Sequence, residues 1–249
     1  MSLDIGKSFT FLSDDPDWIK KLAIGGGLIL AFIVSFITIL GWIPIGLILT
    51  GYLIQLTRNV IRGEARPLPE WDNWGERMLD GLKAWLVGFI YALPATIISL
   101  GTSLPSILNS VRQGVSGTTS SGSTLAATQG ISTLGSCLAW IVGIVTSFFV
   151  TVALGRYAAT SDLGQAFQIG PIFATIRQNF VTYLVIGLIN GILIGLITSI
   201  GFIAFCIGAA FTGFYGQLVL YHLYGQAHRL AEGLGPQSSY GQPSQQQPF

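Results

Sequence analysis

RNVIRGEARPLPEWDNWGERMLDGLK, residues Arg58–Lys83, carries ten charged residues in a 249-residue chain that has only 12 Lys and Arg and 11 Asp and Glu. Long runs almost free of charge lie on both sides of it. Ionised groups are costly to remove from water, so the stretch must sit in water between segments that avoid it. That contrast decides the fold class. The chain reads as an all-α integral membrane protein.

Composition agrees. Hydrophobic residues make up 51% of the chain and charged residues 9%, against roughly 25% charged in soluble domains. Mean hydropathy is +0.64. A net charge of +1 offers nothing for nucleic acid to recognise. Cys137 and Cys206 both fall in apolar runs and are expected to be buried small hydrophobes without a disulfide. Asp4, Asp14, Asp15 and Asp17 precede a first apolar run too long for a cleavable leader, so that helix is expected to remain as an anchor.

Outward from the charged stretch, six spans are expected: 22–40, 45–61, 82–108, 131–154, 180–199 and 202–224. The first has 19 uncharged residues, about 28 Å of helix, close to the ~30 Å hydrocarbon core. Gly41–Pro44 makes the first turn, with Trp42 at headgroup depth. Pro67 and Pro69 are expected to break the helix leaving span two, which restarts near Asp72. Pro94 predicts a kink. Residues 109–130, rich in Gly, Ser and Thr, read as a mobile loop. Ser161 is a candidate N-cap, Gly170-Pro171 an elbow, and Ile200-Gly201 the last turn. Ile172, Phe173, Ile176 and Phe180 form an apolar stripe at helical spacing. Residues 1–232 form the membrane domain, and the Gln/Pro/Ser-rich residues 233–249 a disordered tail. Eleven Lys and Arg fall on one side of this topology and only Arg112 on the other. By the positive-inside rule both termini are cytoplasmic, in the plasma membrane.

The chain also repeats. Thr50-Gly51-Tyr52 with Gln55-Leu56 returns as Thr212-Gly213-Phe214 with Gln217-Leu218, and more weakly from Thr146 to Val152. Each copy lies in a helix returning to the charged side and follows a segment with aromatic and basic residues. The expected architecture is three parallel-repeat hairpins about a pseudo-threefold axis, each led by a short cytoplasmic interfacial helix. Small residues every fourth position, as at Gly135, Ala139, Gly143 and Ser147, permit close helix approach.

Chemistry is scarce. No catalytic, cofactor-binding or metal-binding set stands out, and the chain is expected not to be an enzyme. Asp72, Glu76 and Asp80 share one helical face, but no histidine or cysteine is near them. His222 and His228 are six apart and point to different faces. Arg58, Arg62, Arg66, Arg77 and Lys83 are candidate contacts to anionic headgroups or to another membrane protein, with Trp71 and Trp74 anchoring a flat interfacial helix. Gln55, Asn190 and Gln217 are candidate polar contacts inside the bilayer.

Gly51–Pro94 resembles the signature of the prokaryotic membrane family called domain of unknown function 4013. Arg156–Phe167 and the Thr212–Leu218 run ending at His222 are similar to its later blocks, and the resemblance covers roughly residues 9–229. That family looks distantly similar to the membrane domain of some glycerophosphodiester phosphodiesterases. The resemblance implies a multi-pass membrane protein and no particular activity. The expected role is a non-enzymatic membrane scaffold or assembly factor. The alternative is a carrier or channel for a small neutral or lipid-like solute, with Gln55 and Gln217 facing a cavity.

Overall fold

The computed structural model describes residues 3–35, 41–117, 121–194, 199 and 207–234. All regular elements among the described residues are helical, with no strand. The turn at Ile200-Gly201, parts of the first, fifth and sixth expected spans, Cys206 and the tail from residue 235 lie outside them. The elements are α1 (Ile5–Thr10), a 3-10 turn (Phe11–Asp14), α2 (Trp18–Ser35), α3 (Trp42–Arg62), α4 (Trp74–Ser116), α5 (Gly122–Thr160), α6 (Leu163–Ala166), α7 (Ile169–Gln178), α8 (Phe180–Leu188), a π-helical segment (Ile189–Ile194) and α9 (Ile207–Ala231).

Two compact units result. One comprises the residues up to Val87 together with those from Thr151 on; the other is Gly88–Val150. In the first unit α2, α3 and α9 pack on one another. Tyr52, Leu53, Leu56, Val60, Phe214 and Leu218 fill the space between them, closed from one side by Phe11, Leu12 and Leu68. Glycines set the tightest contact. A Cβ on Gly51 would collide with the Arg77 carbonyl, and one on Gly81 with the Leu47 carbonyl, so α3 and the first turns of α4 touch backbone to backbone.

In the second unit the later part of α4 and the earlier part of α5 form an antiparallel pair. Thr102 sits where a Cβ on Gly135 would be. The Ser106 and Ser132 hydroxyls lie 2.7 Å apart, and Tyr91 packs on Phe149 at 6.1 Å between ring centroids. Most large apolar side chains of this pair are exposed, Trp140 at 76%.

Several expectations change. Helix α3 is ended by Gly63, whose left-handed φ of 76° lets the Gly63 and Glu64 N–H groups bond back to Val60 and Asn59; the prolines come later. Helix α4 starts at Trp74 and runs without interruption through Pro94 and Pro105. The flat interfacial helix expected before span three is therefore the first turns of α4, and the three short leading helices reduce to α1 and α7. The expected mobile loop is mostly helix, up to Ser116 and again from Gly122; residues 118–120 lie outside the described set. Its hydroxyls bond back along the helix, as Ser110 Oγ donates to Ser106 O and Thr128 Oγ1 to Thr124 O, so a Ser/Thr-rich composition does not leave polar groups unpaired there. Asp162, not Ser161, caps α6, its carboxylate accepting from the Gly164 N–H at 2.9 Å. Gly170-Pro171 lies in the first turn of α7, and the elbow comes at Asn179, where the chain bends by 86°. The apolar stripe splits: Ile172 and Ile176 are buried, Phe173 and Phe180 exposed.

Among the described residues α2, α4 and α5 are long and apolar enough to cross a membrane, and the bent α7–α8 pair would make a fourth span.

Candidate functional site

The polar chemistry of the first unit gathers around the segment between α3 and α4. Gly63 turns the chain, and Pro67 and Pro69 hold it extended. Proline lacks a donor N–H but leaves its carbonyl available. Asn59 Nδ2 donates to Pro67 O at 2.9 Å and Tyr52 OH to Pro69 O at 3.0 Å. The segment thereby becomes a strap, with Leu68 buried under it.

Lys21 pins the strap. Its Nζ lies 2.7 Å from Asp15 and 2.6 Å from Glu70, and donates to Leu68 O at 3.4 Å. Lys21 and Asp15 side chains are 5% and 6% exposed, so this is a buried pair whose loss would strand a charge. Trp71 Nε1 donates to Lys21 O at 3.0 Å, and its ring stacks on Tyr52 at 4.0 Å.

A second cluster ties α3 to α4 and α5. Arg58 reaches Asp80 at 3.1 Å, Gln55 Oε1 at 2.7 Å and Ala158 O at 3.1 Å. Tyr157 OH donates to Asp80 at 2.6 Å, and Gln55 Nε2 to Asn59 at 2.9 Å.

A third cluster holds the N-terminus to α9. Ser8 Oγ lies 3.0 Å from His222 Nδ1, and Phe11 stacks on the imidazole at 4.2 Å. His222 Nε2 is buried and makes no hydrogen bond among the described residues. Asp4 N–H donates to Gln226 Oε1 at 2.9 Å, and Tyr215 OH to Phe9 O at 2.9 Å. Near the end of α9, burial lowers the pKa of His228, with Glu232 opposing and Arg156 adding to the shift.

The expected contact residues divide accordingly. Arg58 is turned inward and is a structural tie, its side chain 12% exposed. Arg77 is 12% exposed and bonds to Asp72 at 3.0 Å and Glu70 O at 3.2 Å. Trp71 is half-buried, stacked on Tyr52 and hydrogen-bonded to Lys21. Arg62 and Arg66 are exposed, Lys83 is half-exposed, and Trp74 is exposed at 44%. Gln55 is bonded to its neighbours, Gln217 is half-buried on α9, and Asn190 is exposed in the π-helical segment. The repeat-equivalent Tyr52 and Phe214 meet at 6.0 Å, yet Gly51 is jammed and Gly213 has open space around it. Asp72 and Asp80 are drawn to different arginines, so the expected carboxylate face is not a shared site. No group of three metal-ligating side chains occurs among the described residues. Cys137, expected to be buried, is exposed.

Sequence reasoning missed Lys21, Asp15, Tyr157 and Ser8. A lysine abutting an apolar run looks like an ordinary flank. Only the returning strap makes it a buried tie.

The model of the family described as protein of unknown function (DUF4013) matches residues 30–211. The chain belongs to the DUF4013 family. The matched region holds α3, the strap, α4 and the Arg58–Asp80–Tyr157 cluster, while the N-terminal residues that pin Lys21 and cover His222 precede it. No curated protein and no solved structure gives a significant match.

Proposed function

We propose that this DUF4013 protein is a non-enzymatic membrane scaffold or assembly factor. In this reading it is a multi-pass protein of the plasma membrane whose termini and strap face the cytoplasm. The observation that carries it is the division of charge within Arg58–Lys83. Arg58 and Asp80 tie α3 to α4, and Arg77 holds the strap at Asp72 and Glu70, whereas Arg62, Glu64, Arg66 and Glu76 are exposed. A rigid base with a mixed-charge rim suits recognition of another membrane protein or of anionic headgroups.

The carrier alternative needs Gln55 and Gln217 lining a path. Against it, the Gln55 amide is occupied by Arg58 and Asn59, an arrangement that stiffens α3. A three-hairpin repeat with six crossings remains the larger architecture we propose for the family, with Tyr52 against Phe214 as its supporting contact.

Purification of the full-length tagged protein in mild detergent, with and without Arg62→Glu and Arg66→Glu, tests the scaffold reading. A specific subunit or anionic lipid that co-purifies with wild type and is lost from the folded double variant is expected. Identical bound material in both would overturn it.

A further inference from the structure

Helices α7 and α8 meet at a built-in corner. Asn179 ends α7 by donating its N–H to Thr175 O at 3.0 Å, and its carbonyl accepts from the Tyr183 N–H at 3.2 Å in the first turn of α8. Its φ and ψ of −118° and 32° depart from helical values between the two, and the axes diverge by 86°. Two helices at right angles cannot both run along a membrane normal.

Burial divides α7 lengthwise. Ile172 and Ile176, one turn apart, are buried and hold one face against protein. Ile169, Phe173 and Arg177 recur every fourth residue on an adjoining row, and all three are exposed. Phe180 continues that row to the corner, and Val181, Leu184 and Leu188 extend an exposed apolar surface along α8. Gln178 is exposed on the opposite flank of α7. The protein-facing side of α7 is therefore already filled, and a second apolar row is left outside it. A basic residue ends that row.

Helix α5 gives the level independently. It is long and apolar enough to cross a membrane, carries no charge from Gly122 to Gly155 and regains one at Arg156. The Arg156 guanidinium donates to Gln165 O at 3.2 Å, Gln165 Oε1 at 2.8 Å and Gln168 Oε1 at 3.3 Å. Gln168 immediately precedes α7. Helix α7 thus starts where α5 passes from apolar surroundings to water. A helix with one apolar and one polar flank is stable lying along such a boundary.

We propose that α7 lies flat in the lipid–water boundary, with Ile169 and Phe173 among the upper acyl chains and Arg177 reaching phosphate, while α8 turns at Asn179 into the hydrocarbon. The partner is phospholipid. Long basic side chains reach headgroups from such a position while their stems stay in apolar surroundings. The proposal rests on the multi-pass reading above and adds that the crossing begins at Phe180, with α7 no part of it. The aromatics leading the first and third expected spans, Trp18 and Trp71, pack against the buried core of the first unit, whereas Phe173 is left to lipid.

Single-cysteine variants of the full-length chain, with Cys137 and Cys206 replaced by Ala, test this in lipid nanodiscs after bimane labelling. Phe173→Cys and Ile169→Cys should lose more emission to nitroxides at the top of the acyl chain than to nitroxides near its end. Gln178→Cys should respond to aqueous iodide. Leu188→Cys, eight residues past the corner and about 12 Å deeper at ~1.5 Å per residue, should respond most to the deep nitroxides. Thermal melts matching the parent identify the variants that keep the fold, and either Phe173→Cys or Ile169→Cys suffices for the readout. Stronger quenching of that position by the deep nitroxides would make the α7–α8 pair a re-entrant or broken span. Quenching by iodide alone would put α7 in water, and protection from every quencher would show protein over it. Each of these, with Leu188→Cys behaving as expected, overturns the in-plane placement alone. Leu188→Cys beyond the reach of both nitroxides would overturn the crossing of α8, and the multi-pass reading with it.

Discussion

The α3–α9 core of the first unit and the α4–α5 pair of the second are both apolar helices, yet they solve different problems. The core buries its large side chains in protein, from Tyr52 to Leu218, and ties its polar groups to one another across sequence gaps as long as the 214 residues from Ser8 to His222. The pair leaves Leu100, Leu108, Leu134 and Trp140 exposed, and its hydroxyls bond mostly to their own helices. A helix surrounded by lipid needs no protein cover for its apolar faces, and its association relies on small residues and backbone proximity. A core shielded by protein must instead satisfy nearly all of its buried polar groups with partners, His222 Nε2 being an exception among the described residues. Apolarity alone does not distinguish the two.

The comparison can be broken most forcefully at the buried lysine. Asp15→Ala should destabilise the detergent-solubilised protein by about 3 kcal/mol, the low end of the ~3–5 kcal/mol for breaking a buried pair, because Glu70 still reaches Lys21. Thermal unfolding would read it. A shift no larger than for exposed charges would mean that the strap is not clasped to the core.

Glycines sharpen the contrast in sign. Gly51→Ala forces a methyl against the Arg77 carbonyl and should cost about 1–3 kcal/mol, the usual penalty of overpacking. Gly101→Ala, in open space within α4, should instead stabilise by about 0.5–1 kcal/mol through helix propensity. Equal effects in the same melts would erase the distinction between protein-packed and exposed apolar helices.

His228 should give a smaller effect. Its folded pKa is lowered, so below the ordinary value of about 6.5 the unfolded chain binds more protons than the folded one. Stability should fall as pH drops through that range. His228→Gln should lose less melting temperature than wild type over the same acidification.

The smallest effect belongs to the exposed apolar surface of the α4–α5 pair. Trp140→Ala should change stability in detergent by no more than about 0.5 kcal/mol, despite removing a large aromatic. A loss of several kcal/mol would show that Trp140 packs against protein.

The charged stretch, the helix class and the family were legible in the amino-acid order, because charge density and apolar run length are local properties that the solvent reads directly. So was the uncharged length of α4, whereas α3 starts at Trp42, inside the stretch read as a turn. Helix ends were legible less often. Pro67 and Pro69 looked like the breakers, but Gly63 had already ended α3 by adopting a left-handed φ. The Ser/Thr-rich residues 109–130 looked like loop until their hydroxyls folded back onto the helices.

What only the tertiary structure decided is which charges are spent. Arg58 and Arg62 are one helical turn apart and alike in sequence. One is turned toward Asp80 and Tyr157, and the other is exposed at the rim. Lys20 and Lys21 differ in the same way, exposed against buried. The direction a side chain takes depends on partners 22 to 100 residues away, as with Asp80 and Ala158 for Arg58. No local pattern encodes that distance. The apolar pattern commits these helices to leave water, and packing alone assigns each one to protein or to lipid.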